Sequence, residues 1–189
     1  MNKDKISKII DEISKNFAEL SNNCSDDMDA AAQSIIQSIQ SGGKVMFCGN
    51  GGSAADSQHL AAELIGRYRK DRKALPGLAL TTDSSSITAV ANDYSYKEIF
   101  SRQIEGIGKE NDVLYAISTS GKSENIIEAI NVAKKLKIKT IGVTGNDSRD
   151  MSNICDILIK APASMPDRIQ ELHIAIGQII CDIVEETLC

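Results

Sequence analysis

Residues 44–53 read Lys-Val-Met-Phe-Cys-Gly-Asn-Gly-Gly-Ser. The stretch at 44–48 is a short, apolar run with strand character, and it leads through three glycines into a helical pattern over 53–70. The same alternation continues to the C-terminus. Strands are expected at 75–81, 113–117, 140–144 and 157–160. Short helices are expected at 84–93, 96–106 and 148–153, and longer ones at 124–136 and 166–187, the last opened by Pro166. Strands that are nearly continuous apolar runs separated by helices imply a parallel sheet covered on both faces.

Upstream, Ile6, Ile9, Ile10, Ile13, Phe17 and Leu20 form one stripe at spacings of three and four over residues 3–22. A second stripe, Met28, Ala31, Ala32, Ile35, Ile36 and Ile39, covers 26–41 and stops at Gly42-Gly43. Two amphipathic helices are expected here. Residues 1–189 form a single domain in this reading, with 1–41 a helical extension for packing or oligomerisation.

Composition narrows the function. The 189 residues carry a net charge of −5, with no basic block to track a phosphate backbone, so direct nucleic-acid binding is not expected. No apolar run approaches the ~20 residues of a membrane span. The five cysteines are odd in number and none falls at CxxC spacing, which fits reduced thiols in the cytoplasm. Only two histidines are present, His59 and His173, which excludes a site built from several imidazoles.

In open parallel sheets ligands bind beyond the carboxyl ends of the strands. Gly49-Asn50-Gly51-Gly52-Ser53 is one such loop; its glycines permit close backbone approach, and the helix start offers free N–H groups to an anion. It fails the dinucleotide spacing, because Ala54 stands where the third glycine belongs. Ser118-Thr119-Ser120-Gly121-Lys122-Ser123 is a second loop. It is not a P-loop, because Ala116 replaces the required first glycine. A hydroxyl-lined cradle for a sugar phosphate remains. Asn92-Asp93 is a weaker signal, since such pairs usually mark turns. His59 and Glu63, four apart among Ala54, Ala55, Ala61 and Ala62, share a helix face that suits a metal, acid–base chemistry, or an ordinary solvated pair. His173 reads as a satisfied core or interface histidine.

Taken in order, CGNGGSAAD, HLAAE, GRY, AND, FSRQ, ISTSGKS, TG and RIQELH make the chain resemble the phosphoheptose isomerases, which are sugar-isomerase (SIS) domain proteins. The resemblance implies a five-stranded parallel sheet in a flavodoxin-like three-layer fold, and a homotetramer with active sites at subunit interfaces. It implies interconversion of sedoheptulose 7-phosphate and D-glycero-D-manno-heptose 7-phosphate, feeding heptose for lipopolysaccharide, S-layer or capsule. By position it assigns substrate contacts to Asn50, Gly51, Gly52, Ser53, Glu63, Asn92, Asp93, Ser118, Thr119, Ser120, Ser123 and Gln170. It assigns zinc to His59, Glu63 and Gln170, and the catalytic base to Glu63. The family's fourth metal ligand, a histidine that is also the partner acid–base group, is Gln178 here. Glutamine can coordinate through its carbonyl but does not titrate near neutrality, so zinc binding and the second proton transfer are both altered. Two non-catalytic alternatives share the scaffold: a SIS protein that associates with the replication initiator DnaA, and a phosphosugar sensor. Glu63 and the intact glycine loop favour the enzyme.

Overall fold

The computed structural model describes residues 2–189; Met1, the first residue of the expected extension, lies outside them. The elements in chain order are α1 (Asn2–Gln40), β1 (Val45–Gly49), α2 (Gly52–Ile65), β2 (Gly77–Ala79), α3 (Ser84–Asp93), α4 (Ser101–Ile107), β3 (Val113–Ile117), α5 (Glu124–Lys135), β4 (Lys139–Thr144), β5 (Ile157–Lys160) and α6 (Pro166–Leu188). Single 3-10 turns occupy Tyr96–Glu98 and Arg149–Asn153.

All five strands run parallel in the order β2-β1-β3-β4-β5, as in flavodoxin-like sheets. Alternation along each strand divides the core. Val45 and Phe47 of β1, with Val113, Tyr115 and Ile117 of β3, face the layer of α1, α2 and α6. Met46, Cys48, Leu114 and Ala116 face the opposite layer, which includes α4 and α5. Because β1 is flanked by both β2 and β3, the chain reverses direction across the sheet there. The loops leaving β1 and β3 therefore diverge to helices on opposite faces, α2 and α5, the kind of reversal at which ligands bind in open parallel sheets.

Several boundaries differ from the sequence reading. The two N-terminal stripes belong to one 39-residue helix, about 58 Å long at 1.5 Å per residue. Neither Gly nor Pro stands between them, and Leu20, Cys24 and Met28, spaced four apart, carry the buried face across the join. The helix expected over 53–70 ends at Ile65. The next residues leave helical geometry because Glu185 of α6 accepts from the backbone N–H groups of Tyr68 (2.9 Å), Arg69 (2.7 Å) and Lys70 (2.8 Å). The helix expected over 96–106 splits into the Tyr96–Glu98 turn and α4.

Arg72 completes that clamp. Its Nε donates to Glu185 Oε1 at 2.9 Å, and its guanidinium also donates to the carbonyls of Leu64 and Glu63, both at 2.8 Å. Burial alone would raise the Glu185 carboxyl; the three backbone donors and Arg72 outweigh it and hold it at about 2. The C-terminal end of α2, which carries Glu63, is thereby fixed to α6.

Candidate active site

The glycine loop leaves β1 with Gly51 at φ +58°, a left-handed conformation that suits glycine. A side chain on Gly52 would overlap the Gln170 amide, so this glycine lets α6 close onto the start of α2. Neither α2, capped by Gly51, nor α5, capped by Ser123, has a side-chain capping hydrogen bond. Instead the Ser123 hydroxyl lies 3.1 Å from the Ser118 hydroxyl. Two adjacent strand–helix junctions thus present first-turn N–H groups that no side chain occupies, at the end of the sheet where ligands bind.

The two junctions are tied together. Asn50 Nδ2 donates to Asn125 Oδ1, and Asn125 Nδ2 donates back to Asn50 Oδ1, both at 2.8 Å. Tyr96 Oη also donates to Asn50 Oδ1, at 3.1 Å. Sequence reasoning missed Asn125 and Tyr96. A polar residue in the first turn of a helix carries no local signal of a partner 75 residues away.

Further along α2, His59 Nε2 stands 2.8 Å from Glu63 Oε1. Gln178 Nε2 of α6 approaches the same ring nitrogen at 3.4 Å. With Glu63 ionised, Nε2 carries the proton and donates to the carboxylate, so Gln178 is a neighbour of the pair. The face is open: the His59 side chain is 49% and that of Glu63 20% exposed, and Ala55 and Ala62 are exposed with them. One turn before His59, Asp56 is buried with Oδ2 unpartnered. Burial raises its carboxyl to about 6 against the opposing pull of His59.

Of the positions proposed for metal, His59, Glu63 and Gln178 meet, while Gln170 lies against Gly52. Eight residues separate Gln170 from Gln178, about 12 Å along the helix axis. Among the described residues, no cluster of three or more His, Cys, Asp and Glu is placed to hold a metal ion. The donor set is one imidazole, one carboxylate and amides. Asn92 and Asp93 sit at the exposed end of α3, with Asn92 Nδ2 donating to Asp93 Oδ1 at 2.8 Å. Tyr96, three residues beyond Asp93, is what reaches the glycine loop from this segment.

His173 is in the core as expected, at 1% exposure, but neither ring nitrogen is satisfied. Burial pushes it down to about 4 against a smaller pull from the Thr144 carbonyl, which does not reach hydrogen-bond geometry.

Comparison with known proteins agrees with this architecture. The SIS domain family model matches residues 9–145. The phosphoheptose isomerase of Rhodospirillum rubrum is 51% identical over 166 residues, covering 88% of each chain. That of Clostridium acetobutylicum is 55% identical over 154 residues, covering 82% of this chain and 79% of that one. The solved phosphoheptose isomerase from Francisella tularensis superposes with a TM-score of 0.95 at 35% identity, covering 98% of this chain and 99% of that one.

Proposed function

The chain belongs to the SIS domain family, among the phosphoheptose isomerases, and from that premise we propose that it isomerises sedoheptulose 7-phosphate to D-glycero-D-manno-heptose 7-phosphate for heptose biosynthesis. The observation that carries the reading is Glu63, a carboxylate held by His59 at 2.8 Å on the helix that begins in the glycine loop.

In the forward direction Glu63 removes a proton from C1 of the ketose, giving an enediol, and returns it to C2. O2 takes a proton from solvent water on the open face and O1 returns one to it, which leaves the aldehyde at C1. The first turns of α2 and α5, with Ser118, Thr119, Ser120 and Ser123, bind the phosphate end. Asn50 and Ser53 line the glycine-loop side, and Asn92 and Asp93 border the mouth. His59 Nε2–H keeps the carboxylate oriented. Gln178 cannot act as a second proton carrier, so Glu63 performs both transfers.

A zinc ion would be held by His59 and Glu63, with His59 Nε2 giving up the proton it donates to Glu63 and Gln178 turning its amide so that the oxygen, not Nε2, faces the metal. This is a weaker set than the three strong protein ligands of most catalytic zinc sites. When bound, zinc polarises the sugar oxygens as a Lewis acid. Gln170 joins these ligands only from a second copy, given its separation from Gln178 along α6.

A homotetramer with active sites between subunits is supported by two further observations. Gly52 and Glu63 are eleven residues apart, about 17 Å along α2, which favours a substrate spanning two copies. The N-terminal half of α1 exposes Ile6, Ile9, Ile10 and Phe17, an apolar surface suited to another subunit. No helix among the described residues is long and apolar enough to cross a membrane. The five free cysteines support a reducing cytoplasm.

The test is NMR of sedoheptulose 7-phosphate with the purified protein, with and without added zinc. New anomeric signals of the aldose are expected. A ketose spectrum unchanged under both conditions overturns the reading.

A further inference from the structure

We propose that Asn125 is a positioning residue of this active site, acting through Asn50, and that Tyr96 is the exposed third member of the same device. The proposal rests on the isomerase reading above, and it concerns how the two ligand loops are held at a working separation.

Asn125 lies in the first turn of α5 and is only 3% exposed. Burying an amide is unfavourable unless its donors and acceptor are met, and helix propensity does not favour Asn here. Its side-chain partner is Asn50, in the loop that leaves the neighbouring strand. The pair is reciprocal, each amide giving one N–H and receiving one, so it fixes both side-chain orientations at once. It crosses the place where the β1 and β3 loops diverge. There is no backbone ladder between the strands at that point, since the β1–β3 register ends at the pair Gly49 and Ile117. Asn50 is also the residue whose carbonyl accepts from Ser53 N–H at 3.0 Å, closing the turn that sets up Gly51 and Gly52. Holding the Asn50 side chain therefore holds the glycine loop.

The arrangement also limits what Asn50 can do. Its Oδ1 already accepts from Asn125 and from Tyr96, so both lone pairs are used. Asn50 meets a sugar through its second Nδ2 hydrogen, toward an oxygen acceptor. Tyr96 is 58% exposed and its hydroxyl donates to Asn50, which places it on the solvent side of the pair.

A positioning role predicts a particular kinetic signature. N125L removes both amide hydrogen bonds on a side chain of the same branched heavy-atom skeleton. KM for sedoheptulose 7-phosphate should rise about tenfold or more, because small displacements of binding groups cost up to ~100-fold, while kcat falls less. A purely structural defect would lower the active fraction, hence apparent kcat, and leave KM alone. In an N50A background, N125L should add nothing further, since its effect passes through Asn50. Y96F should raise KM by a smaller factor without moving the melting temperature. If N125L does not fold, N125A, which removes both bonds without adding bulk, replaces it in the same cycle. A KM within twofold of wild type, or effects of N50A and N125L that multiply, overturns the proposal. Calorimetric binding of sedoheptulose 7-phosphate is measured in parallel. A wild-type protein that binds without turnover refutes the isomerase reading, and the same cycle read in Kd then decides the positioning role.

Discussion

His59 and Glu63 are separated by one turn of α2 and joined by a 2.8 Å hydrogen bond, with Gln178 of α6 at 3.4 Å from the same imidazole nitrogen. An imidazole, a carboxylate and an amide therefore share one open patch, and of the three only the amide cannot take up or release a proton near neutrality.

The amide is the first place to intervene. Q178H puts a second imidazole beside His59 and Glu63. Zinc affinity, measured by competition with a chromophoric chelator, should rise roughly ten- to hundredfold, the range that even outer-shell changes produce. Turnover should rise with it. If both stay at wild-type values, Gln178 does not occupy the position of a missing ligand.

Sites shared between copies can be tested by complementation. E63Q should lose isomerase activity by about 100-fold or more, the usual worth of a positioned base. S120A/S123A should lose it through the phosphate cradle. If copies share sites, mixed oligomers formed by co-expression should regain part of the activity, because some sites then combine an intact Glu63 with an intact loop from another copy. Mixed assemblies as inactive as either parent would place the complete site within one chain.

The clamp between α2 and α6 sets stability and site geometry together. Arg72 and Glu185 are both buried, and removing one partner of such a pair costs about 3–5 kcal/mol. R72M should lower the melting temperature by roughly 10 °C, at about 2–4 °C per kcal/mol for a chain of this size. It should also reduce kcat, since Arg72 donates to the Glu63 carbonyl. Differential scanning calorimetry and the NMR assay measure both effects; an unchanged melting temperature would show the pair to be dispensable.

Two buried groups give opposite pH dependences. His173 is held at about 4 in the folded chain against about 6.5 unfolded. The unfolded state therefore binds more protons between these values, and stability is lost as pH falls from 6.5 toward 4. The 2.5-unit difference corresponds to roughly 3 kcal/mol at 1.36 kcal/mol per unit. Asp56 is raised to about 6, so the folded state binds the extra proton, and its contribution is lost as pH rises from about 4 through 6. Urea midpoints across pH 4–7 should show a shallower acid loss in H173L and a steeper one in D56N. Profiles parallel to wild type in both variants would contradict these assignments.

Much of this site was legible in the chain because its parts are local. Gly49 to Ser53 marks a strand–helix junction, Ser118 to Ser123 marks a second one, and the four-residue spacing of His59 and Glu63 places them on one helix face. Parallel strands were legible because residues such as 113–117 are apolar without alternation, as burial on both faces requires. What failed was also local in cause. The two apolar stripes over 3–22 and 26–41 suggested two helices, but no Gly or Pro separates them, and Leu20, Cys24 and Met28 bury continuously. The helix over 53–70 was overrun because the carboxylate that captures the N–H groups of residues 68–70 comes from Glu185, more than a hundred residues away.

The sequence by itself determined the element order, the two phosphate-compatible loops and the departure at Gln178, since each depends on neighbours within a few residues. Only the tertiary structure decided which groups meet. Strand order brought the β1 and β3 loops side by side and paired Asn50 with Asn125. The packing of α6 on α2 set Gln178 beside His59 and left Gln170 against Gly52. Contacts of this kind depend on the packing of whole helices and sheets, and no short window of residues contains that information.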